Sequence, residues 1–187
     1  MIPADLILKT SDYLLRISNE SDADFVFSAS QYPGFNDGMQ WDPPEHKDTI
    51  IESLKRSLKK WQEGEGYSFT IVSRDEEAQR LGRISIRPGE GTDVWDIGYW
   101  THPALQKKGI MTEAVGAILE FGFTQLQANK ITACTATWNK GSEKVLLSHG
   151  FIFVRFIEQG FQKKGEWVSE NEFDLSKERW KNNQKMQ

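Results

Sequence analysis

The stretch "QKKGIMTEA", residues 106–114, decides how the chain is read. Two lysines and a glycine stand directly before an apolar-periodic segment, in a chain whose formal net charge is −4. A helix macrodipole disfavours cations at its N-terminus. Lys107 and Lys108 become well placed if a ligand with several negative charges sits there. A glycine-tight loop with exposed N–H groups, followed by a helix start, makes an anion cradle. The other reading is a surface turn with solvated lysines, and this stretch alone leaves both open.

Working outward, Met111–Leu126 reads as an amphipathic helix. Met111, Val115, Ile118 and Gly122 form one stripe, which Ala114 and Phe121 widen. Upstream, "YSFTIVS", "RLGRISIRP" and "DVWDIGYWT" are strand-like runs joined by "RDEEAQ" and "PGEGT", so an antiparallel meander is expected. Downstream, "KITACTAT" is a strand. A helix between two strands implies a crossover, hence parallel pairing there. "NKGSEKVLLSHGF" reads as a short helix with Asn139 as N-cap and Gly150 as its stop. "FIFVRFIE" and "EWVSENEFDL" are the last strands.

Toward the N-terminus, "YLLRI" (Tyr13–Ile17) is a strand. A helix follows from about Asp22 to Gln31, with Ser21 as N-cap, Asp24 completing a short-armed capping box, and Phe25 and Ala29 inward. "YPGFNDGMQWDPP" is a loop by its breakers. Ile50, Ile51, Leu54, Leu58 and Trp61 then recur at helical spacing until "EGEG" stops them. The whole is α+β: one mixed, mostly antiparallel sheet with helices on both faces. A single domain over residues 1–187 is expected, with 178–187 either a short charged helix or a disordered tail.

Hydrophobic residues at 38% and charged residues at 27% suit a globular chain. The acidic balance tilts against a nucleic-acid partner. Glu120 interrupts the most apolar run, Ala114–Phe123, so no membrane span is expected. The first residues alternate charge and apolar character too early for a secretory signal. Cys134 is the one cysteine, which fits a reducing cytoplasm. No residues have metal-ligand spacing, so no metal is expected.

The combination "IGYWTHP…QKKGIMTEA…N-x-x-S…GF" resembles the GNAT acetyltransferases, and within them the RimJ/RimL branch, which acetylates protein N-termini. Gln106 and Gly109 fall on the Q/R-x-x-G-x-G/A signature; Met111 departs from its last place but keeps the loop's N–H. "LLRISNESDADF" resembles the family's opening strand and helix, and the resemblance covers nearly the whole chain. It implies a GNAT fold with acetyl-CoA as acetyl donor, lying in the splay between two adjacent parallel strands. Trp100, Thr101 and His102 would pair with the pantetheine arm. Gln106, Lys107, Lys108, Gly109, Ile110, Met111 and Thr112 would hold the diphosphate. An oxyanion donor is expected from a strand N–H near Tyr99 or Trp100.

Several members carry a carboxylate base, usually Glu, where this chain has Asp96; a structural carboxylate is the other reading. Ser142 matches a serine that hydrogen-bonds the coenzyme sulfur in RimL-like members, or it is a helix-start hydroxyl. Asn139 matches a coenzyme-contacting Asn and also suits a plain N-cap. The usual tyrosine acid falls on Leu146, so a phenol acid is absent from its usual place. Tyr32, Phe35, Met39 and Trp41 lie in a loop that walls the acceptor pocket in this branch, or plugs the sheet. Cys134 is expected to be a buried small hydrophobe. His149 suits a helix C-terminus, His46 the surface, and His102 backbone contact only. The implied reaction is acetyl transfer to a primary amine in a ternary complex. The acceptor would be a protein N-terminal α-amine or a small-molecule amine (polyamine, amino acid or antibiotic); a non-catalytic acyl-CoA-binding module is the remaining alternative. Acidic charge tilts the acceptor toward cationic amines or basic termini. A cytoplasmic monomer or homodimer is expected.

Overall fold

In a computed structural model, which describes residues 2–74 and 79–185, an eight-stranded sheet carries the molecule. The strands are β1 (Ile7–Lys9), β2 (Tyr13–Ile17), β3 (Tyr67–Ser73), β4 (Arg80–Pro88), β5 (Val94–Thr101), β6 (Lys130–Ala136), β7 (Ile152–Lys163) and β8 (Glu166–Ser176). Their order is β1-β2-β3-β4-β5-β6-β8-β7. Among the described residues only β5 and β6 pair parallel, as the crossover through the central helix requires. The helices are α1 (Ala23–Ser30), α2 (Lys47–Glu63), α3 (Ile110–Thr124), α4 (Lys140–Ser148) and α5 (Lys177–Gln184).

The strand β1 was not among the expected elements. It is three residues long and pairs at the sheet edge, Ile7 opposite Arg16. The first helix also starts differently. Asn19, not Ser21, caps the turn that leads into it, and Asp22 holds the N-cap position of the helix proper: Asn19 Oδ1 accepts from the Ser21 N–H at 3.0 Å, and the Asp22 carboxylate accepts from the Asn19 N–H at 3.1 Å. A 3₁₀ turn over Glu20–Asp22 then leads into α1. Asp22 sets this arrangement because distant strands hold it. Arg16 donates to both of its oxygens at 2.7 and 3.0 Å, Arg80 Nε at 2.6 Å and Thr70 Oγ1 at 2.7 Å. Burial alone would raise its pKa, but these donors outweigh it and bring the carboxyl down to about 2.

The helix α3 lays Ala114, Val115, Ile118 and Phe121 against Ile84, Ile86, Ile97 and Ile131 of the sheet in the main core. A smaller cluster joins α1 and α2 through Ala23, Val26, Ile50 and Leu54, with Trp100 of β5 packed on it. Of the C-terminal tail, Lys177–Gln184 is helical as α5, and residues 186–187 lie outside the described residues; Trp180 stacks on Phe123 at 5.0 Å, and Ser176 Oγ caps the helix.

A seam runs through this sheet. The strands β5 and β6 keep register only at Val94–Lys130, Trp95–Ile131 and Asp96–Thr132. Beyond that point β5 stays with β4 up to Thr101 opposite Gly82, and β6 stays with β8 up to Ala136 opposite Glu170. A wedge opens between residues 97–101 and 133–136, and residues 97–101 have no strand partner on the side facing β6.

Candidate active site

The two faces of the sheet present different chemistry at the wedge. Successive strand residues point to opposite faces, and register partners share one. Ile97 and Tyr99 accordingly face the α3 core, while Asp96 and Trp100 face α1 and α2.

Asp96 sits where the wedge begins. Arg87 Nη2 pairs with its carboxylate at 2.5 Å, and Thr132 Oγ1 donates to it at 3.3 Å. Burial raises its pKa despite Arg87 and Thr132, and Glu172 adds to the rise. The register carries the same face outward from Asp96 through Thr132 to Asp174, then Cys134 to Glu172, then Ala136 to Glu170. The floor beside the wedge is therefore acidic. Cys134 belongs to this floor and is exposed, not buried as expected. Desolvation first, then Glu170, Asp96 and Glu172, push its thiol up to about 12, so it is no thiolate nucleophile.

On the opposite face, Ser142 stands at the start of α4. Its N–H donates to Asn139 Oδ1 at 3.2 Å, so Asn139 is the N-cap. Its hydroxyl lies 3.0 Å from the Tyr99 hydroxyl. The phenol that the sequence lacks at Leu146, which is fully buried, is thus present from another element. Burial, only partly offset by the Ser142 hydrogen bond, pushes the Tyr99 phenol up to about 12.

At the wedge mouth, Lys107 and Gly109 have φ of 66° and 77°, and Gly109 caps α3 without any side-chain hydrogen bond to the helix. A Cβ on Gly109 would meet nothing within 4 Å, so the loop is open outward. Gln106, Lys107, Lys108 and Thr112 are exposed; Ile110 and Met111 turn their side chains into the core. That inward turn explains why Met replaces Gly or Ala at 111 without obstructing the N–H groups. His149 Nε2 reaches the Thr112 carbonyl at 2.7 Å and ties α4 to the first turn of α3. Its pKa is lowered by burial, so it is a neutral link and not the dipole-paired cation its sequence position suggested.

The loop over residues 31–46 stands above the Asp96 face. Trp41, Phe35, Trp100 and Phe25 form a chain of ring contacts at 5.3 to 6.1 Å. His102 continues it, 5.5 Å from Phe25 and 5.2 Å from Tyr32. The expectation of backbone contact only is too narrow for His102. Its Nδ1 accepts from the Ala104 N–H and its Nε2 meets Ser28 Oγ at 3.1 Å. Met39 enters through its carbonyl, which with that of Trp41 accepts from Lys163 Nζ at 3.1 and 2.7 Å. Lys163, buried at the end of β7, also pairs with Asp42 and so holds the loop down.

An unpaired strand edge suits an extended amide chain, and an uncapped helix start behind a left-handed glycine suits a diphosphate. Together they suit a ligand that joins an extended amide arm to a diphosphate, as coenzyme A does. Residues 13–152 match the family described as the acetyltransferase (GNAT) domain, and the chain belongs to that family. It is an N-acetyltransferase with acetyl-CoA as donor. Among relatives, the uncharacterized N-acetyltransferase YnaD of Bacillus subtilis (strain 168) is 29% identical over 129 residues, covering 69% of this chain and 75% of YnaD. The fold matches a GNAT-family acetyltransferase of Bacillus anthracis, TM-score 0.82 at 18% identity, over 92% of this chain and 99% of that one. It also matches RimL, a ribosomal L7/L12 alpha-N-protein acetyltransferase in complex with coenzyme A, TM-score 0.82 at 16% identity, over 91% and 98%. Among the described residues, no helix is long and apolar enough to cross a membrane.

Proposed function

We propose that the chain acetylates a primary amine presented on the Asp96 face of the wedge, with a protein N-terminal α-amine as acceptor. The observation that carries this reading is Asp96 at the opening of the wedge, partly buried, fixed by Arg87, and followed by an acidic floor under an aromatic wall. RimL's described activity on a protein N-terminus supports the acceptor. A small-molecule amine is the second reading, favoured by the acidic floor.

Acetyl-CoA supplies the acetyl group as a thioester. The N–H groups of Gly109–Thr112 and the open edge of residues 97–101 would hold it, with Asn139 and Ser142 beside its sulfur. An α-amine has a pKa of about 7.7–8.0 and is mostly protonated at neutral pH, so it must lose a proton before attack. Asp96 takes that proton, directly or through water, and its raised pKa suits the task. A backbone N–H near Tyr99 or Trp100 donates to the developing oxyanion. Ser142, oriented by Tyr99, donates a hydrogen bond toward the departing sulfur. A phenol at about 12 is a weaker acid than a thiol at about 8.5, so Tyr99 positions Ser142 and keeps its own proton.

A thiol-release screen of N-terminal peptides against polyamines, amino acids and aminoglycosides tests the acceptor. Asp96→Asn keeps size and should lower kcat by about 10²–10⁴-fold at neutral pH, with part of the rate returning at high pH, where the amine is already neutral. Wild-type kcat across pH in that variant would assign the proton to bulk water.

A further inference from the structure

The acidic floor is not uniformly neutralised. Asp96 has Arg87 at 2.5 Å, Glu172 has Arg155 at 2.5 Å, and Asp174 has Lys130 at 3.8 Å. Glu170 has none: its carboxylate makes no hydrogen bond or ion pair with any described residue, although the residue is only 8% exposed. Lys163, the nearby buried cation on β7, is committed to Met39, Trp41 and Asp42. Among the described residues the fully buried polar atoms without a partner are Asn36 Oδ1 and Thr135 Oγ1, so the Glu170 carboxylate tip still reaches the floor although most of the residue is covered, and a cation arriving there meets an unneutralised charge with restricted hydration.

The fold makes room for this group. The pairing of β7 with β8 is interrupted between Ile157 and Phe161. Within that interruption lies Gly160, where an added Cβ would come 2.5 Å from Glu170 Oε2. Any larger residue would push the carboxylate aside. Glu170 also sits within electrostatic reach of Asp96 and Cys134, so it faces the same floor. Its register partner on β6 is Ala136, four residues beyond Thr132, the partner of Asp96. Four residues of strand rise about 13 Å.

We propose that Glu170 binds a second cationic group of the acceptor, an ammonium or guanidinium remote from the reacting amine, and thereby selects extended dications over monocations. This deepens the reading of the Asp96 face as the acceptor side and rests on it. The cation comes from a polyamine or from a basic side chain near a peptide N-terminus, and the chemistry of recognition is the same for both.

The test compares matched acceptors in two arms: spermidine against octylamine, and a short peptide with Lys at its second position against the same peptide with norleucine. Turnover is read by thiol release and binding by calorimetry in the presence of coenzyme A, with melting curves as a folding control. A charged hydrogen bond contributes about 1.5–3 kcal/mol, so wild type should favour the dication by at least about tenfold in one arm, and that arm names the source. Glu170→Gln should reduce the preference to about twofold or less, with the larger loss falling on the dication's kcat/KM. Gly160→Ala, which keeps the charge but displaces it, should reduce the preference in part. An unchanged preference in Glu170→Gln, or no preference in wild type in either arm, overturns the proposal. Glu170-dependent binding of the dication without turnover of any amine would instead overturn the acceptor reading and leave the subsite standing.

Discussion

Asp22 and Asp96 are both shielded aspartates held by arginine, and the protein pushes them in opposite directions. Asp22 has a fully buried side chain and is met by Arg16, Arg80, Thr70 and the Asn19 N–H, so its charge is over-satisfied and its pKa falls to about 2. Among the described residues Asp96 has Arg87 and Thr132 only, beside an open wedge and near Glu172, and its pKa rises. The difference lies in the count of donors against the cost of desolvation, and not in residue type. The first region joins β2, β3, β4 and the entry to α1 into one anchor. The second leaves a carboxylate able to exchange a proton.

The largest expected effect on stability comes from breaking the anchor. Asp22→Asn leaves Arg16 and Arg80 facing a neutral amide and should cost about 3 kcal/mol. For a chain of this size the melting temperature should fall by roughly 6–12 °C. Asp96→Asn in the same assay should shift stability by less than about 1 kcal/mol, since it loses one ion pair with a half-exposed arginine and relieves a desolvated charge. Equal melting shifts in the two variants would erase the contrast. The pH dependence has opposite signs as well. A lowered folded pKa means that the stabilisation from Asp22, about 2 kcal/mol, is present above its ordinary value of 3.8 and is lost as pH falls through about 2. For Asp96 the raised folded pKa gives a penalty at higher pH that is relieved as pH falls toward the ordinary carboxylate range. Acid melts of wild type and both variants read these signs.

A second test moves to the wedge mouth. Gly109→Pro replaces a φ of 77° with one near −65° and removes an N–H donor. Acetyl-CoA affinity by calorimetry should weaken by at least about tenfold, the equivalent of one charge-assisted hydrogen bond. The ligand-free melt should fall less than in Asp22→Asn. Unchanged affinity would detach this loop from coenzyme binding. The smallest effect is expected at the aromatic wall. Trp41→Ala should raise KM for the amine about fivefold, on the order of 1 kcal/mol, and leave KM for acetyl-CoA nearly constant. Lys163 grips the Trp41 carbonyl and not its ring, so the loop should keep its path. A melting loss that accounts for the activity loss would make Trp41 a plug of the sheet.

The elements with strong local periodicity were legible in the sequence. The β3–β5 meander, α3 and the parallel β5–β6 pair stand where apolar spacing and the crossover rule put them. The three residues of β1 carry no period long enough to read. The cap at Asn19 was missed because Ser21 and Asp24 satisfy the local pattern equally well; the arbiter is Asp22, claimed by Arg80 and Thr70 from distant strands. At the site, alternation separated Asp96 from Tyr99 correctly, but the Tyr99–Ser142 contact joins residues 43 apart through α4. Arg87 over Asp96, Lys163 under the loop, and Glu170 without a partner depend on register between strands and on a bulge in β7. No single segment encodes these features. Cys134 and His102 were misjudged for a related reason. A strand residue is buried or exposed according to what covers its face, and the wedge leaves one face of β6 bare while the aromatic cluster covers His102.

A coenzyme held in the seam between β5 and β6, as proposed above, would have a thermodynamic role beyond donating its acetyl group. Two sheet halves meet at three register pairs, and a molecule bound along the wedge would bridge them where the protein's own hydrogen bonds stop. Anything that binds the folded chain and not the unfolded one stabilises it by mass action, by about 2.7 kcal/mol at a hundred times its dissociation constant. The melting temperature of the chain is therefore expected to rise with acetyl-CoA concentration, which a thermal melt across a coenzyme titration reads.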